Sequence, residues 1–252
     1  MTLEGQVAVV TGGSRGVGRA TCLRLAEKGA AIAILDVIDP GETVALLEER
    51  GASVWTHETD LAQPEQIEQA FVRLDDAWGP PRVHVNVAGV FAAVPALETT
   101  PEVWDRMMDV NVRGAFFAAQ AAAKRMRTNG GGRIINILSN AAVQGFAHEA
   151  AYCASKGAAL LMTRTLAVEL AQYDITVNGV GPGTVHTDMG AEYLGGGPIA
   201  EHELSRTPLG RFGEPEDIAE AVAWMATEAR WLTGQALYVD GGFLATGLPD
   251  LG

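Results

Sequence analysis

Short apolar runs alternate with longer helical patterns along the whole chain, and this alternation constrains the fold more than any other feature. The apolar runs are rich in Val, Ile and Ala, and the segments between them carry apolar residues at helical spacing. A chain with this rhythm forms a parallel sheet whose crossover helices cover both faces. The predicted strands are 6–11, 30–36, 53–58, 83–87, 133–138, 176–180 and 236–239. The predicted helices are 16–28, 41–50, 64–78, 101–128, 151–172 and 215–227.

The pattern predicts one doubly wound α/β domain of the Rossmann type, with a seven-stranded parallel sheet, over residues 1–252. A chain of 252 residues is within the size range of a single open α/β domain, and 48% hydrophobic residues supply a substantial core. One stretch, 182–213, has no clear periodic element and contains three consecutive glycines. Because a connection this long is usually functional, we interpret it as a lid over a substrate site, with an unstructured insertion as the alternative.

Charge and composition exclude several classes of function. The chain has 31 acidic and 18 basic residues, and its formal net charge of -13 would repel nucleic acid and anionic membranes. Its two cysteines, which the layered fold places far apart, do not indicate a disulfide framework. We see no signal sequence or membrane span and therefore expect a cytoplasmic protein. The five histidines lack the spacing of a metal site, so we predict no metal.

A glycine-rich turn follows the first predicted strand and opens a helix. Glycines let the backbone turn sharply beside a pyrophosphate, and a helix N-terminus offers N–H groups and a partial positive charge. The turn therefore predicts a dinucleotide site. Its sequence, Thr-Gly-Gly-Ser-Arg-Gly-Val-Gly over 11–18, resembles the Thr-Gly-x-x-x-Gly-x-Gly loop of the short-chain dehydrogenase/reductase family. The resemblance implies cofactor contacts at Gly12, Ser14, Arg15, Gly16, Val17 and Gly18.

Two charged residues point to different nicotinamide cofactors. Asp36 ends the second predicted strand, where a carboxylate can accept hydrogen bonds from ribose hydroxyls and would repel a 2'-phosphate, which favours NAD. Arg15 favours NADP, because in NADP-using relatives an arginine at this place in the loop pairs with the extra phosphate. We expect Arg15 to lie beside Asp36 and neutralise it, and Val37 provides no second cation. The prediction is therefore NAD, with NADP as the alternative.

Three further landmarks of the same family follow predicted strands, at the edge where doubly wound sheets bind ligands. The resemblance assigns the adenine contact to Asp60 and Leu61. The family's Asn-Asn-Ala-Gly appears with Val87 in second place, which puts one structural hydrogen bond in doubt. The implied cofactor contacts of that motif and of the later Pro-Gly turn are Asn86, Ala88, Gly89, Pro182, Gly183, Val185 and Thr187.

A tyrosine, a lysine and a serine form a candidate catalytic group. Tyr152 and Lys156 are four residues apart in a predicted helix, so the phenol and the ammonium share one face. We expect the cation to lower the pKa of the phenol from its usual value near ~10. Ser139 ends the fifth predicted strand, where its hydroxyl can bind the substrate oxygen. We therefore predict that Tyr152 is the general acid and base, and that Tyr152 and Lys156 also contact the cofactor.

Asn111 lies inside the longest predicted helix, on its apolar side. A buried amide needs hydrogen-bond partners, so a satisfied core asparagine would account for it. The family resemblance instead assigns Asn111 to a catalytic tetrad with Ser139, Tyr152 and Lys156, in which it holds a water that passes protons through Lys156. Gly114 nearby indicates either a local distortion of this helix or close packing against it.

These features predict an oxidoreductase that transfers hydride between NAD and a secondary alcohol or ketone. An NADPH-dependent 3-oxoacyl-thioester reductase is one alternative, and a non-catalytic NAD(H)-sensing regulator is another, although a binding protein gains nothing from Tyr152 and Lys156 together. The predicted pocket, formed by residues after Gly89, by 141–149 and by 189–194, is mostly apolar and suggests a small or medium uncharged substrate. The resemblance also implies a homotetramer, with the helices around Asn111 and Tyr152 at subunit contacts.

Overall fold

A seven-stranded parallel sheet forms the centre of the molecule. The computed structural model describes residues 2–246, apart from the side chains of residues 192 and 193. The strands are β1 (Val7–Thr11), β2 (Ala31–Asp36), β3 (Val54–Glu58), β4 (Val83–Asn86), β5 (Gly132–Ile137), β6 (Ile175–Pro182) and β7 (Ala236–Val239). All neighbouring strands are parallel, in the order β3-β2-β1-β4-β5-β6-β7. The doubly wound sheet that the sequence predicts is confirmed.

The strand order reverses beside β1. The chain builds β1, β2 and β3 outward in one direction and then places β4 on the other side of β1. The connections that leave β1 and β4 therefore diverge, and a crevice opens between their carboxyl ends. Thr11 and Asn86 are paired at these ends, so the segments that follow them form the crevice walls.

Helices cover both faces of the sheet. They are α1 (Gly16–Glu27), α2 (Gly41–Glu49), α3 (Pro64–Ala77), α4 (Pro101–Met108), α5 (Ala115–Met126), α6 (Ala150–Leu170), α7 (Ala191–Leu194), α8 (Pro198–Ser205) and α9 (Pro215–Thr227). Side chains alternate between the two faces along β1: Val7 and Val9 pack with α3, α5 and α6, whereas Ala8 and Val10 pack with α1, α2 and α9. This period of two is what a strand buried on both faces requires.

The predicted helix 101–128 is not continuous. It begins as expected, because the Thr100 hydroxyl accepts a hydrogen bond from the Val103 N–H and caps α4. A π-helical turn, Asp109–Gly114, then separates α4 from α5. A Cβ at Gly114 would lie 2.5 Å from the carbonyl oxygen of Leu61, so the backbone approaches the β3–α3 connection too closely for a side chain. Both expectations for Gly114, distortion and close packing, are met.

The segment 182–213 is also more ordered than its sequence predicts. It contains α7 and α8, which follow the long strand β6. Their shortness and the glycines between them weaken the periodic signal, which explains why the sequence pattern misses them. In the part of the chain that the structure describes, no helix is long and apolar enough to span a membrane.

Candidate active site

A cleft of about 750 Å³ opens at the carboxyl ends of β1 and β4. Its walls come from the turns after β1, β2, β3, β4 and β5, from the start of α6 and from the segment after β6. Most of the residues that the sequence analysis selects meet here. The predicted residues that line the cleft are Gly12, Arg15, Gly16, Val17, Gly18, Asp36, Asp60, Leu61, Ala88, Gly89, Ser139, Tyr152, Lys156, Pro182, Gly183, Val185 and Thr187, whereas Ser14, Asn86 and Asn111 lie behind its surface.

The turn between β1 and α1 presents a helix N-terminus to the cleft. Gly16, Val17 and Gly18 form the first turn of α1, and the preceding Arg15 makes no side-chain capping bond. First-turn N–H groups have no partner within the helix, so these can bind an anionic ligand. Gly18 is required by packing, because a Cβ there would lie 1.8 Å from the Gly12 carbonyl oxygen.

Ser14 lies behind the cleft surface and fixes the edge of the cleft, while its cofactor contact stays a prediction. Its N–H donates to Asp36 Oδ2 at 3.0 Å, and its hydroxyl donates to the Ile38 carbonyl at 2.8 Å. Its carbonyl accepts hydrogen bonds from Arg19 Nη2 at 3.0 Å and from Thr43 Oγ1 at 2.9 Å. Ser14 thereby ties the β1–α1 turn to the end of β2 and holds the Asp36 carboxylate in place.

Arg15 does not neutralise Asp36, so that part of the prediction is wrong. The Arg15 guanidinium pairs with Asp188, in the segment after β6, at 2.8 Å. Asp36 instead accepts hydrogen bonds from the N–H groups of Ser14 and Ile38, at 3.0 and 3.1 Å. Asp188 lies far away in the sequence, and no local pattern shows that it will compete for Arg15.

A second arginine borders the same end of the cleft. Arg19 Nη1 and Nη2 donate to the two carboxylate oxygens of Glu42 at 2.8 and 2.7 Å, and Arg19 Nε donates to Thr43 Oγ1 at 3.1 Å. Both Arg19 and Glu42 line the cleft together with Asp36. The Arg19–Glu42 pair could not be predicted from the sequence, because the two residues belong to different helices and to no recognised motif.

Asn86 supports the cleft from beneath. It is 5% exposed, and its amide donates to Asn136 Oδ1 at 2.8 Å and to the Ala115 carbonyl at 3.0 Å. These bonds join β4 to β5 and to α5. The Asn86 side chain therefore supports the cleft, and the cofactor contact assigned to Asn86 stays a prediction.

The segment after β4 keeps its backbone attachment despite the change at position 87. The Val87 N–H donates to Thr11 Oγ1 at 3.1 Å, and the Ala88 N–H donates to the Thr11 carbonyl at 3.0 Å. Because both bonds use main-chain donors, a valine at this place does not disturb them. Ala88 and Gly89 consequently line the cleft.

Tyr152 and Lys156 face the cleft from the start of α6. Lys156 Nζ lies 5.7 Å from the centre of the Tyr152 ring and donates to the Ile137 carbonyl at 2.9 Å. Burial lowers the pKa of Lys156 to about 8. Burial also raises the pKa of Tyr152 to about 12; the Ser139 hydroxyl opposes this shift, and the negative charge of Glu149 adds to it. The net shift of the phenol pKa is therefore upward, because desolvation is its largest cause. The expectation that the Lys156 cation favours the phenolate stays a prediction.

Ser139 stands just beyond the end of β5, beside Tyr152. Its hydroxyl donates to Asn140 Oδ1 at 3.1 Å and accepts a hydrogen bond from the Ala141 N–H at 3.1 Å. The second bond opens a short 3₁₀ turn and fixes the hydroxyl at the cleft wall. Ser139 is thus positioned to hydrogen-bond a substrate oxygen.

Asn111 lies in the π-helical turn and is 3% exposed. Its amide donates to the Val90 carbonyl at 2.9 Å and to Ser155 Oγ at 3.1 Å, and its oxygen accepts from the Val90 N–H at 2.8 Å. A Cβ built on Gly89 would lie 3.2 Å from Asn111 Oδ1 and 3.9 Å from Lys156 Nζ. The Asn111 amide is satisfied, as expected of a buried core asparagine, and the place of Asn111 in a proton relay through Lys156 stays a prediction.

The segment after β6 closes the other wall. Its residues from Thr184 to Gly190 line the cleft, and α8 adds Glu203, whose carboxylate accepts a hydrogen bond from Thr184 Oγ1 at 3.2 Å. Glu203 is only 8% exposed. Glu203 was not predicted from the sequence, because it lies on α8, a helix that the hydrophobic pattern does not reveal.

Comparison with known proteins agrees with this geometry. A family model described as enoyl-(acyl carrier protein) reductase matches residues 12–244. A short-chain type dehydrogenase/reductase of Picea abies is 40% identical over 254 residues, which cover 95% of this chain and 93% of that protein. The chain belongs to the short-chain dehydrogenase/reductase family.

Two other proteins similar to this chain differ in the cofactor that their names state. An NAD-dependent glycerol dehydrogenase of Listeria innocua is 34% identical, with 94% of this chain and 93% of that protein covered. A blue fluorescent protein from a metagenomic library, solved in complex with NADPH, is 43% identical and has a TM-score of 0.89, with 96% and 99% of the two chains covered.

The protein is accordingly a short-chain dehydrogenase/reductase that uses a nicotinamide cofactor and acts on alcohol or carbonyl groups. Its own cleft has donors and acceptors that fit such a cofactor. The uncapped N-terminus of α1 suits a pyrophosphate, and the Asp36 carboxylate suits ribose hydroxyls. Lys156 and the segment from Pro182 to Thr187 border the remaining length of the cleft.

Proposed function

We propose that the protein is an NAD-dependent enzyme that interconverts an uncharged secondary alcohol and its ketone. The observation that carries this proposal is that one continuous cleft joins Asp36 to Ser139, Tyr152 and Lys156. Asp36 suits the adenosine end of a dinucleotide, and the other three residues supply acid–base and oxyanion groups. A protein that only binds the dinucleotide would need the region around Asp36 but not the group of Ser139, Tyr152 and Lys156.

Asp36 and its surroundings support NAD as the preferred cofactor. Each Asp36 carboxylate oxygen accepts one backbone N–H and keeps a lone pair for a ribose hydroxyl. The same negative charge would repel a 2'-phosphate. Arg15, which argues for NADP in the sequence, has its charge offset by Asp188. The residues around the adenosine end therefore favour the unphosphorylated ribose.

The side chains divide the remaining work. When bound, the nicotinamide supplies or accepts the hydride. Tyr152 donates a proton to the carbonyl oxygen during reduction and takes one from the hydroxyl during oxidation. Ser139 hydrogen-bonds the same oxygen and stabilises the charge that develops on it. Lys156 stabilises the phenolate, and Asn111 is a positioning residue that holds Val90 beside Lys156.

The lining of the inner cleft supports an uncharged substrate. Phe91, Phe146 and Met189 provide apolar surface, as the sequence predicts for this pocket. Glu149 and Glu203 add two buried carboxylates, which would repel an anionic substrate. We expect uncharged alcohols to be turned over faster than carboxylate analogues of the same size.

Turnover assays with paired cofactors test the proposal. A panel of alcohols and ketones is assayed with NAD(H) and NADP(H) by following the absorbance of the reduced nicotinamide. Tyr152→Phe should lower kcat by about 10²–10⁴-fold and leave the Kd for NAD unchanged. Tyr173→Phe, a change outside the cleft, is the matched control. Full activity of Tyr152→Phe would contradict the assigned mechanism.

Two other functions give different outcomes in the same assays. An NADPH-dependent 3-oxoacyl-thioester reductase, which Arg15 at the cleft wall favours, requires a preference for NADPH and turnover of a 3-oxoacyl thioester. An NAD(H)-sensing regulator requires binding of NAD(H) without turnover of any substrate in the panel. Preference for NAD(H) with a simple alcohol excludes both.

We also propose a homotetramer in the cytoplasm. Leu161 and Val168, seven residues apart on one face of α6, are 64% and 81% exposed, and Trp104 of α4 is partly exposed. These helices are the ones for which the family resemblance implies subunit contacts. The two cysteines are free thiols, which is typical of a reducing compartment.

A further inference from the structure

We propose that Glu42 is a further determinant of cofactor choice, because it pairs with Arg19 and thereby keeps that guanidinium from binding a 2'-phosphate. The inference rests on the proposed NAD-dependent function and assigns part of the selectivity to a residue outside the glycine-rich turn. In this proposal Asp36 repels the 2'-phosphate, whereas Glu42 holds the Arg19 guanidinium in an ion pair so that it does not bind the phosphate.

Arg19 is held next to the carboxylate that suits the ribose. A single residue, Ser14, connects the two: its N–H donates to Asp36, and its carbonyl accepts from Arg19 Nη2. Arg19, Asp36, Ile38 and Glu42 all line the same end of the cleft. A phosphate on the ribose 2'-oxygen would therefore enter the neighbourhood of this guanidinium.

The Arg19–Glu42 ion pair is stabilised by its two-point geometry and by the partial burial of Arg19. Two parallel N–H···O bonds of 2.8 and 2.7 Å join the guanidinium to the carboxylate, and the Arg19 side chain is only 25% exposed. Two-point arginine–carboxylate pairs are stronger than single contacts. The Arg15–Asp188 pair makes one bond between side chains that are 57% and 73% exposed, so it opens more easily. The pairing of Arg19 therefore affects the binding of a 2'-phosphate more than the pairing of Arg15 does.

Removing the charge of Glu42 should free Arg19 without displacing it. Arg19 Nε still donates to Thr43 Oγ1, and Nη2 still donates to the Ser14 carbonyl. Glutamine offers one uncharged acceptor oxygen in place of two charged ones, so one of the two guanidinium donors that Glu42 binds becomes available to a phosphate oxygen. Glu42 itself is 72% exposed, so its replacement by glutamine leaves the core intact.

The test is isothermal titration calorimetry with NAD⁺ and with NADP⁺, without substrate, so that binding is measured apart from turnover. In Glu42→Gln, the Kd for NADP⁺ should fall about tenfold, as expected for a charge-assisted hydrogen bond to phosphate. The Kd for NAD⁺ should stay within about twofold of the wild type, because its ribose carries no phosphate for Arg19 to bind. Glu48→Gln, on the exposed side of α2, controls for the loss of one negative charge from that helix.

The double variant Arg19→Gln/Glu42→Gln separates the mechanism from general electrostatics. It should lose the gain in NADP⁺ affinity, because the cation that would bind the phosphate is gone. An unchanged Kd for NADP⁺ in Glu42→Gln, the same gain in Glu48→Gln, or a gain that persists in the double variant would each overturn the inference. Tighter binding of NADP⁺ than of NAD⁺ by the wild type would instead refute the proposed cofactor preference, and Glu42→Gln would still be judged against that wild type.

Discussion

At the scale of single residues, burial shifts the pKa values of Lys156 and Tyr152, the two ionisable groups of the proposed catalytic site, in opposite directions. The pKa of Lys156 falls to about 8 and that of Tyr152 rises to about 12, because each loses solvation of its charged form. Residue type and spacing identify both groups from the sequence. The sign of the Tyr152 shift could not be predicted, since it depends on how completely the β5 and α6 segments exclude water.

The first prediction concerns pH and the Tyr152–Lys156 pair. Carbonyl reduction needs the protonated phenol, so its rate should fall as pH rises, whereas alcohol oxidation needs the phenolate and should accelerate. Lys156→Met should move the inflection of the oxidation profile upward by at least about one pH unit, because a cation that favours the phenolate is lost. Lys156→Arg keeps the charge and should keep most of the profile. Coincident kcat–pH profiles for Lys156→Met and wild type would argue against this role.

A second prediction concerns His84, which is buried in β4. Burial lowers its pKa from 6.5 to about 4, and its Nε2 is hydrogen-bonded to Asn86 at 2.9 Å. Because the unfolded chain binds this proton more readily, the contribution of neutral His84 to stability is fully present above pH 6.5 and is lost as the pH falls. It should fall by about 1.4 kcal/mol per pH unit between pH 6.5 and about 4.

His84→Gln tests this assignment, since an amide can still donate to Asn86 but does not titrate. Urea unfolding at several pH values measures the free energy of unfolding of both proteins. The wild type should lose stability relative to His84→Gln as the pH is lowered. Parallel pH dependences would show that another group is responsible.

At the scale of elements, the interruption between α4 and α5 shows what periodicity can and cannot predict. The apolar stripe continues through Asp109–Gly114, so the pattern predicts one helix. Gly114, at the end of the π-helical turn, approaches Leu61 closely, and periodicity cannot reveal this contact between distant parts of the chain. The π-helical turn carries Asn111 and therefore sets the position of a residue that we propose to act in the active site.

A pair of glycine substitutions tests the packing at this turn. In Gly114→Ala the new Cβ would meet the Leu61 carbonyl at 2.5 Å, and the resulting overpacking should reduce stability by about 1–3 kcal/mol. Leu61 lines the cleft, so the Kd for NAD should also rise. In Gly157→Ala, within α6, the Cβ meets only the Ala142 carbonyl at 3.8 Å, and stability should rise by about 0.4–1 kcal/mol. Urea unfolding that finds the two changes equal would contradict this account.

At the scale of the whole molecule, the sequence predicts the architecture better than the contacts. Strand alternation predicts the sheet, and a parallel sheet brings its ligand-binding segments to one edge, so most site residues follow from topology. The pairs Arg15–Asp188 and Arg19–Glu42 do not follow. Their partners are 173 and 23 positions apart, and only the packed structure shows which carboxylate each arginine reaches.

Assembly provides the last prediction. If α6 forms a subunit contact, Leu161→Glu should place a charge in an apolar interface and convert the proposed tetramer to smaller species. Val72→Glu, on the exposed face of α3, is the matched control and should leave the assembly unchanged. Light scattering coupled to size-exclusion chromatography measures both masses. An intact tetramer in Leu161→Glu would remove α6 from the interface.

The reversal of strand order beside β1 also affects how the chain is made. During synthesis, β2 can pair with β1 early, but the other edge of β1 has no partner until Val83–Asn86 has left the ribosome. β4 must therefore emerge before both edges of the buried strand β1 are paired. We therefore expect the nascent chain to expose an apolar strand edge over the first third of its synthesis, which makes this interval its main exposure to aggregation and to chaperones.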